Sequence, residues 1–376
     1  MNSNNTSSGC YAISTCIARR HSQMRGFTLV ELLVALVLGL VLVGGAINLV
    51  VTSRNTVRLT ENVMRVQENT RTAFDLMTRD IREAGQIPCG IPDTPNSINQ
   101  IGNVIRDPKT SATTPWWADW NNGSLVGFAS GVDTPGIVAF GTATHERVNG
   151  TAALSVMQAE GNEQVIVAQT LPLAANQEIT LQSVSGLEAD DIVMVCDTKA
   201  AAITQLGTVS TGLKAIDYQP AMTTYNCNAN LGAPTPADCI ATIPKEFEAN
   251  GFAALLKTTF WYIGYNLQGH KALYRTHLKK QGGAIVVEPQ EVLPDVVDLQ
   301  IQYLTIDLTD PANPVKATDW VNADAIADWS KAAAQQVIGV KLTLTFETED
   351  AVSSTQTKVT RQSVHVVSLR SRDTLL

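Results

Sequence analysis

The sequence has little charge and few aromatics: 16% of its 376 residues are Asp, Glu, Lys or Arg and 6% are Phe, Trp or Tyr, against 44% hydrophobic residues. With so large an apolar share, global disorder is excluded. The formal net charge is −8 and the long C-terminal part carries no basic cluster, so nucleic-acid binding by counterion release has little to act through. Catalytic signatures are missing as well. There is no G-x-S-x-G turn and no Walker or dinucleotide-binding glycine pattern. Among His21, His145, His270, His277 and His365 there is no metal-ligand pair at helical spacing. The expectation is a non-enzymatic protein needing no cofactor and no metal. Asp307 and Asp310 in "DLTDPANP" offer carboxylates for calcium, but they lack EF-hand spacing and suit a turn equally well.

Three further absences are local. Residues 1–26 contain no acid but carry Arg19, Arg20 and Arg25; no Lys or Arg stands between Phe27 and Arg54; and residues 27–84 contain no proline. The second absence leaves an apolar run of about 25 residues, enough to cross roughly 30 Å of hydrocarbon at about 1.5 Å per residue. No second such run follows. The arginines before it put the N-terminus in the cytoplasm and everything beyond Val51 in the periplasm or outside. A secretory signal peptide cut near Gly44-Gly45-Ala46 is the rival reading, but its apolar core would be shorter and would not run on into a helix.

Without proline, residues 27–84 read as one helix, about 90 Å long at full extension. Beyond Val51 the helix turns amphipathic. Val63, Val66, Thr70, Ala73, Phe74, Met77, Ile81 and Ala84 recur at three-to-four-residue steps with Arg, Glu and Asp between them. It should stop near Gly85 and Pro88. Inside the apolar run sits one carboxylate, Glu31, at a cost of roughly 2.5 to 3.5 kcal/mol on insertion scales. No cation follows it for more than twenty residues. An α-amino group freed by a cut before Phe27, on a neighbouring subunit shifted along a helix bundle, would neutralise it and fix the register between subunits.

The stretch "RGFTLVELLVAL" resembles the class III signal of type IV prepilins. The resemblance implies cleavage between Gly26 and Phe27 by a prepilin peptidase, N-methylation of Phe27, and Glu31 as the residue of subunit register and assembly. Pieces further on resemble the PilW family of minor pilins: "FDLMTRDIREAGQIPCG", "TTFWYIGYNLQGHKALYR", "VLPDVVDLQIQYLTID", "VIGVKLTLTF" and "VVSLRSR". The implied fold is α+β, a long pilin helix packed on a β-rich head. The implied organisation is a leader (1–26), a membrane or filament-core half of the helix (27–51), its amphipathic half (52–87) and the head (88–376). The resemblance further implies a single-pass inner-membrane protein that passes into a pilus at the cell surface. There it would prime pilus assembly at or near the tip, supporting adhesion and twitching motility. Its partners would be other minor pilins, the major pilin, a PilY-type tip adhesin, the prepilin peptidase and the inner-membrane assembly platform, with no direct nucleic-acid contact. A GspJ-like minor pseudopilin of type II secretion is the alternative, and a membrane-tethered periplasmic enzyme or binding protein a remoter one.

Within the head, "TFWYIGYNLQGHKALYRTHL" reads as a hairpin turning at Gly269. "GVKLTLTFET" alternates as a half-buried strand, with "SVHVVSL" beside it after a turn in "EDAVSST". "ADAIADWSKAAAQQ" reads as a short helix. Four cysteines lie beyond the leader, Cys89, Cys196, Cys227 and Cys239, and allow three disulfide connectivities in an oxidising compartment. Cys227 and Cys239 flank one loop, so they are paired here, and Cys89–Cys196 follows. Trp116, Trp117 and Trp120 in "PWWADWNNG" are read first as packing under their loop, with a binding loop as the alternative they offer.

Overall fold

In a computed structural model, the described residues are 27–89, 101–107, 113–159, 163–169, 178–232, 244–330, 333–348 and 358–369. The chain divides into two compact units, Met1–Arg58 and Leu59–Leu376. One helix, α1 (Leu29–Arg82), runs through the boundary. In the first unit its apolar side chains are exposed from end to end, and it is the one described helix long and apolar enough to cross a membrane.

The second unit carries the amphipathic part of α1 and two antiparallel-rich sheets. Among the described residues the larger sheet has twelve strands. In chain order they are β1 (Gly102–Asn103), β2 (Leu125–Phe128), β3 (Ala153–Ala159), β4 (Gln164–Gln169), β5 (Glu178–Leu181) and β6 (Ile192–Cys196). There follow β7 (Ala201–Gln205), β8 (Val209–Ser210), β9 (Ala215–Asp217), β10 (Phe252–Tyr265), β11 (Lys271–Gln281) and β12 (Ala284–Pro294). The smaller sheet holds β13 (Val296–Asp307), β14 (Val315–Lys316), β15 (Gln335–Glu347) and β16 (Thr360–Ser368), in the order β14-β13-β15-β16.

Strand β10 is the hub: along its length it pairs with β6, β4, β3 and β11. Ten of its fourteen residues are buried, as are all of β3 and β6. That burial on both faces is why their sequences run apolar instead of alternating. β15 is the opposite case. Val340, Leu342, Leu344 and Phe346 face the core while Lys341, Thr343, Thr345 and Glu347 are half-buried, which matches the alternation in its sequence.

The main core forms where the helix stripe meets both sheets. Val66, Ala73, Phe74, Met77, Ile81 and Ala84 pack with Trp261, Leu299, Tyr303 and the inner residues of β15. Full burial of side chains such as Met77 and Ile81 contributes about 2 kcal/mol each. The helix stops three residues before Gly85, which adopts φ +75° and donates its N–H to Met157 O at 2.9 Å. A left-handed residue just past the last turn is where glycine is favoured. The β10–β11 hairpin turns with Gly269 at φ +77°, and β15 pairs with β16.

One expected element differs. Among the described residues of 323–336, the helical structure before β15 begins is a 3₁₀ turn, Ala323–Ala325. Its local helix propensity is overridden by specific contacts: Trp329 packs edge-on against Tyr303 at 4.9 Å, Asp328 accepts from Ser330 N–H, and the buried Gln336 amide donates to Ser330 O and Ala333 O. The "EDAVSST" turn lies outside the described residues.

Candidate functional site

The N-terminal site starts at Phe27, which is 78% exposed, and continues into the first turn of α1. Thr28 is its N-cap: Thr28 Oγ1 accepts from Glu31 N–H at 3.2 Å, and Thr28 O accepts from Leu32 N–H at 3.1 Å. Threonine followed three residues later by glutamate is the capping-box pattern. The pattern is visible in "FTLVE", yet reading Glu31 only as a charge in a membrane overlooks Thr28. In the first turn, Glu31 stands where the helix dipole favours an anion. Among the described residues its carboxylate has no ion-pair partner. Gly26 lies outside the described residues.

A second carboxylate on α1 is satisfied within the chain. Asp80 is buried at 4% exposure, ion-paired with Lys257 Nζ at 3.3 Å and accepting from Trp261 Nε1 at 3.0 Å. With its amide oriented to serve both neighbours, Gln158 donates to Glu83 Oε2 (3.2 Å) and accepts from Lys257 Nζ (3.0 Å). This buried network was not read from the sequence. Its signal is positional, because Asp80 follows Met77 by three residues and so falls on the core stripe.

The tryptophan segment packs into the core, the arrangement set against a binding loop in its sequence. Trp117 and Trp120 are about 5% exposed and pack with Met157, Ile203 and Tyr225. Trp117 meets Tyr225 edge-on at 5.2 Å, and its carbonyl accepts from buried Thr258 Oγ1 at 2.6 Å. Half-buried Trp116 packs edge-on to Phe260 at 6.0 Å. The Asn121 side chain closes two hydrogen bonds with the backbone of Ile101, both 2.9 Å, and seals the segment onto the sheet.

A disulfide joins Cys89 to Cys196, with Cα atoms 5.9 Å apart, and so ties the turn after α1 to the end of β6. Cys227 is disulfide-bonded, while Cys239 lies outside the described residues. The histidines are dispersed: His365 stacks on Phe74 at 5.0 Å, His145 meets Tyr274 edge-on at 5.7 Å, and His277 Nε2 lies 2.9 Å from Glu288. Among the described residues no three metal-ligating side chains converge. Asp307 and Asp310 accept from backbone N–H groups two residues ahead, at Thr309 and Ala312, as turn residues do. Burial alone would push the Asp197 carboxyl up. Lys245 and the N–H groups of Lys199, Glu248 and Ala200 outweigh it and hold the carboxyl below its ordinary range.

Residues 21–47 match the family model described as the prokaryotic N-terminal methylation motif, and residues 260–371 match the one described as type IV pilus-assembly protein W. Over these residues the chain is similar to type IV pilins of the PilW family. Among curated proteins and solved structures nothing matches it. The first match spans Phe27, Thr28 and Glu31 together with the start of the exposed apolar helix, the arrangement of a membrane-anchored pilin. The second covers the end of β10, the hairpin after it and the whole smaller sheet.

Proposed function

We propose that this protein is a minor pilin that primes type IV pilus assembly and sits at or near the tip. The observation that carries the proposal is the pairing of the methylation motif around Phe27 and Glu31 with a PilW-type head. Cleavage between Gly26 and Phe27 would free the α-amino group, and its methylation would keep that group cationic. The helix would then leave the bilayer sideways for a bundle in which Glu31 of one subunit meets the amine of the next. A buried charge pair of this kind is best suited to setting register. Leu32, Ala35, Leu36, Gly39, Leu40 and Val43 form one apolar seam on the helix whose small residues allow close approach in that bundle. The proposed organisation is a leader at 1–26, a membrane and filament-core segment at 27–51, an amphipathic segment at 52–87 and a head at 88–376. The proposed partners are other minor pilins, the major pilin, a PilY-type adhesin, the assembly platform and the processing peptidase, in support of adhesion and twitching.

Intact mass spectrometry of the protein from membranes with and without an active prepilin peptidase tests this reading. Loss of residues 1–26 with one methyl group on Phe27 is expected only with the peptidase. An uncut chain, or one cut after Ala46, would sink the proposal.

A further inference from the structure

The described part of the head has two long strands with an open edge, and they are guarded unequally. β12 pairs only with β11, and its sequence carries Pro289, Pro294, Glu288 and Glu291, residues that block or repel an incoming strand. β16 pairs only with β15, and its nine residues "TRQSVHVVS" contain no proline and no acid. The other edge strands are short: β1, β8 and β14 have two residues each and β2 has four.

The hydrogen bonds at the ends of β16 show which of its amides are open. Leu369 N–H donates to Ile338 O at 3.1 Å, and Thr348 N–H donates to Val359 O at 2.9 Å. Both fit the register in which Val367 opposes Val340 and Arg361 opposes Phe346. Because bonded and non-bonded pairs alternate in an antiparallel ladder, the odd-numbered residues serve β15. The N–H and C=O groups of Gln362, Val364, Val366 and Ser368 therefore point to the open side.

Beside that edge runs a groove of about 620 Å³ between α1 and β16, walled by Thr78, Arg79 and Arg82 on the helix and by His365 and Ser368 on the strand. Its two acids are engaged on the helix itself, Asp75 with Arg71 at 3.7 Å and Glu83 with Arg79 at 3.4 Å. Arg82 and Arg361 have no ion-pair partner among the described residues, and Arg361 shares the helix-facing side of β16 with His365.

We propose that β16 accepts an extended, carboxylate-bearing segment of a partner protein, which adds a fifth strand to the smaller sheet and lays its acids toward Arg82 and Arg361. Main-chain bonds would supply affinity and the guanidinium groups would select the sequence. A second copy of β16 fits poorly as occupant. It would bring Arg361 and His365 and no acid of its own to an edge that already carries both. The inference rests on the edge geometry and not on the pilus reading, so the two fail separately.

The test uses the purified full-length chain in detergent and a capped peptide alternating valine with glutamate, with glutamine and lysine versions as controls, followed by fluorescence anisotropy and residue-resolved hydrogen exchange. The glutamate peptide is expected to bind best and to slow exchange at Gln362, Val364 and Val366. Val364→Pro removes an outward N–H but no bond to β15, so melting should be retained while binding falls by about tenfold or more. Arg361→Glu should lower affinity for the glutamate peptide alone, again by about tenfold. Three outcomes overturn the proposal: no binding of the glutamate peptide, equal binding of the lysine peptide, or binding unaffected by Val364→Pro in a folded variant. A dimer in sedimentation that Val364→Pro dissolves would assign the edge to a second copy and overturn it as well.

Discussion

The two parts of α1 that fall on either side of Arg58 treat their carboxylates in opposite ways. In the head, Asp80 is buried with a cation and an indole donor supplied by β10 of the same chain. In the apolar segment, Glu31 has its backbone N–H capped by Thr28 and its carboxylate free of ion pairs among the described residues. One acid is complete within the fold, and the other has no ion-pair partner among the described residues. The same contrast holds for apolar groups: Phe74 and Met77 are covered, whereas Leu40 and Leu42 are about 70% exposed.

The largest test of this contrast is the crosslink that holds the head end of the helix. Cys89 and Cys196 lie 107 residues apart, and closing so long a loop stabilises by about 4 to 5 kcal/mol on the chain-entropy account. Replacing both with serine should lower head stability by most of that amount in urea unfolding. Next comes Phe74→Ala, expected to cost about 3 kcal/mol as a core truncation, while Leu40→Ala should change head melting by less than about 0.5 kcal/mol. Equal effects would end the comparison.

The two acids can be set against each other directly. Asp80→Ala leaves Trp261 Nε1 without its acceptor, and because Lys257 is 45% exposed and can rehydrate, about 2 kcal/mol is expected rather than the full cost of breaking a buried pair. Glu31→Ala should leave the melting curve alone and abolish pilus assembly, read by electron microscopy of cells. The smallest effect concerns Asp197. Its folded carboxyl titrates below the unfolded one, so its stabilisation is full above the unfolded value of about 4 and is lost as pH falls through the folded value. Asp197→Asn should therefore be less stable than the parent at pH 7 and draw level with it in acid.

What could be read in the sequence follows from how each element is exposed. The helix, the Gly269 hairpin and β15 are each covered on one side or turned by one special residue, so pattern and composition reveal them. Strands such as β3 and β6 are buried on both faces, and "ALSVMQA" and "IVMVC" carry no alternation to read. Asp80 hid among the other charges of the helix because only its angular position, not its type, marks it as buried. The tryptophans were legible only as two alternatives, because an aromatic cluster beside Asn-Gly suits a loop tip or a folded-under segment, and the Asn121 clasp and the Thr258 hydroxyl hold it folded under.

The disulfide at the end of α1 also sets a mechanical path. A pull along the helix would reach β6 through a covalent bond at Cys196 and pass from there into β10, where β6 and β10 lie antiparallel over four residue pairs. The load is thus shared among several backbone hydrogen bonds at the hub of the larger sheet, and the turn after the helix need not bear it alone.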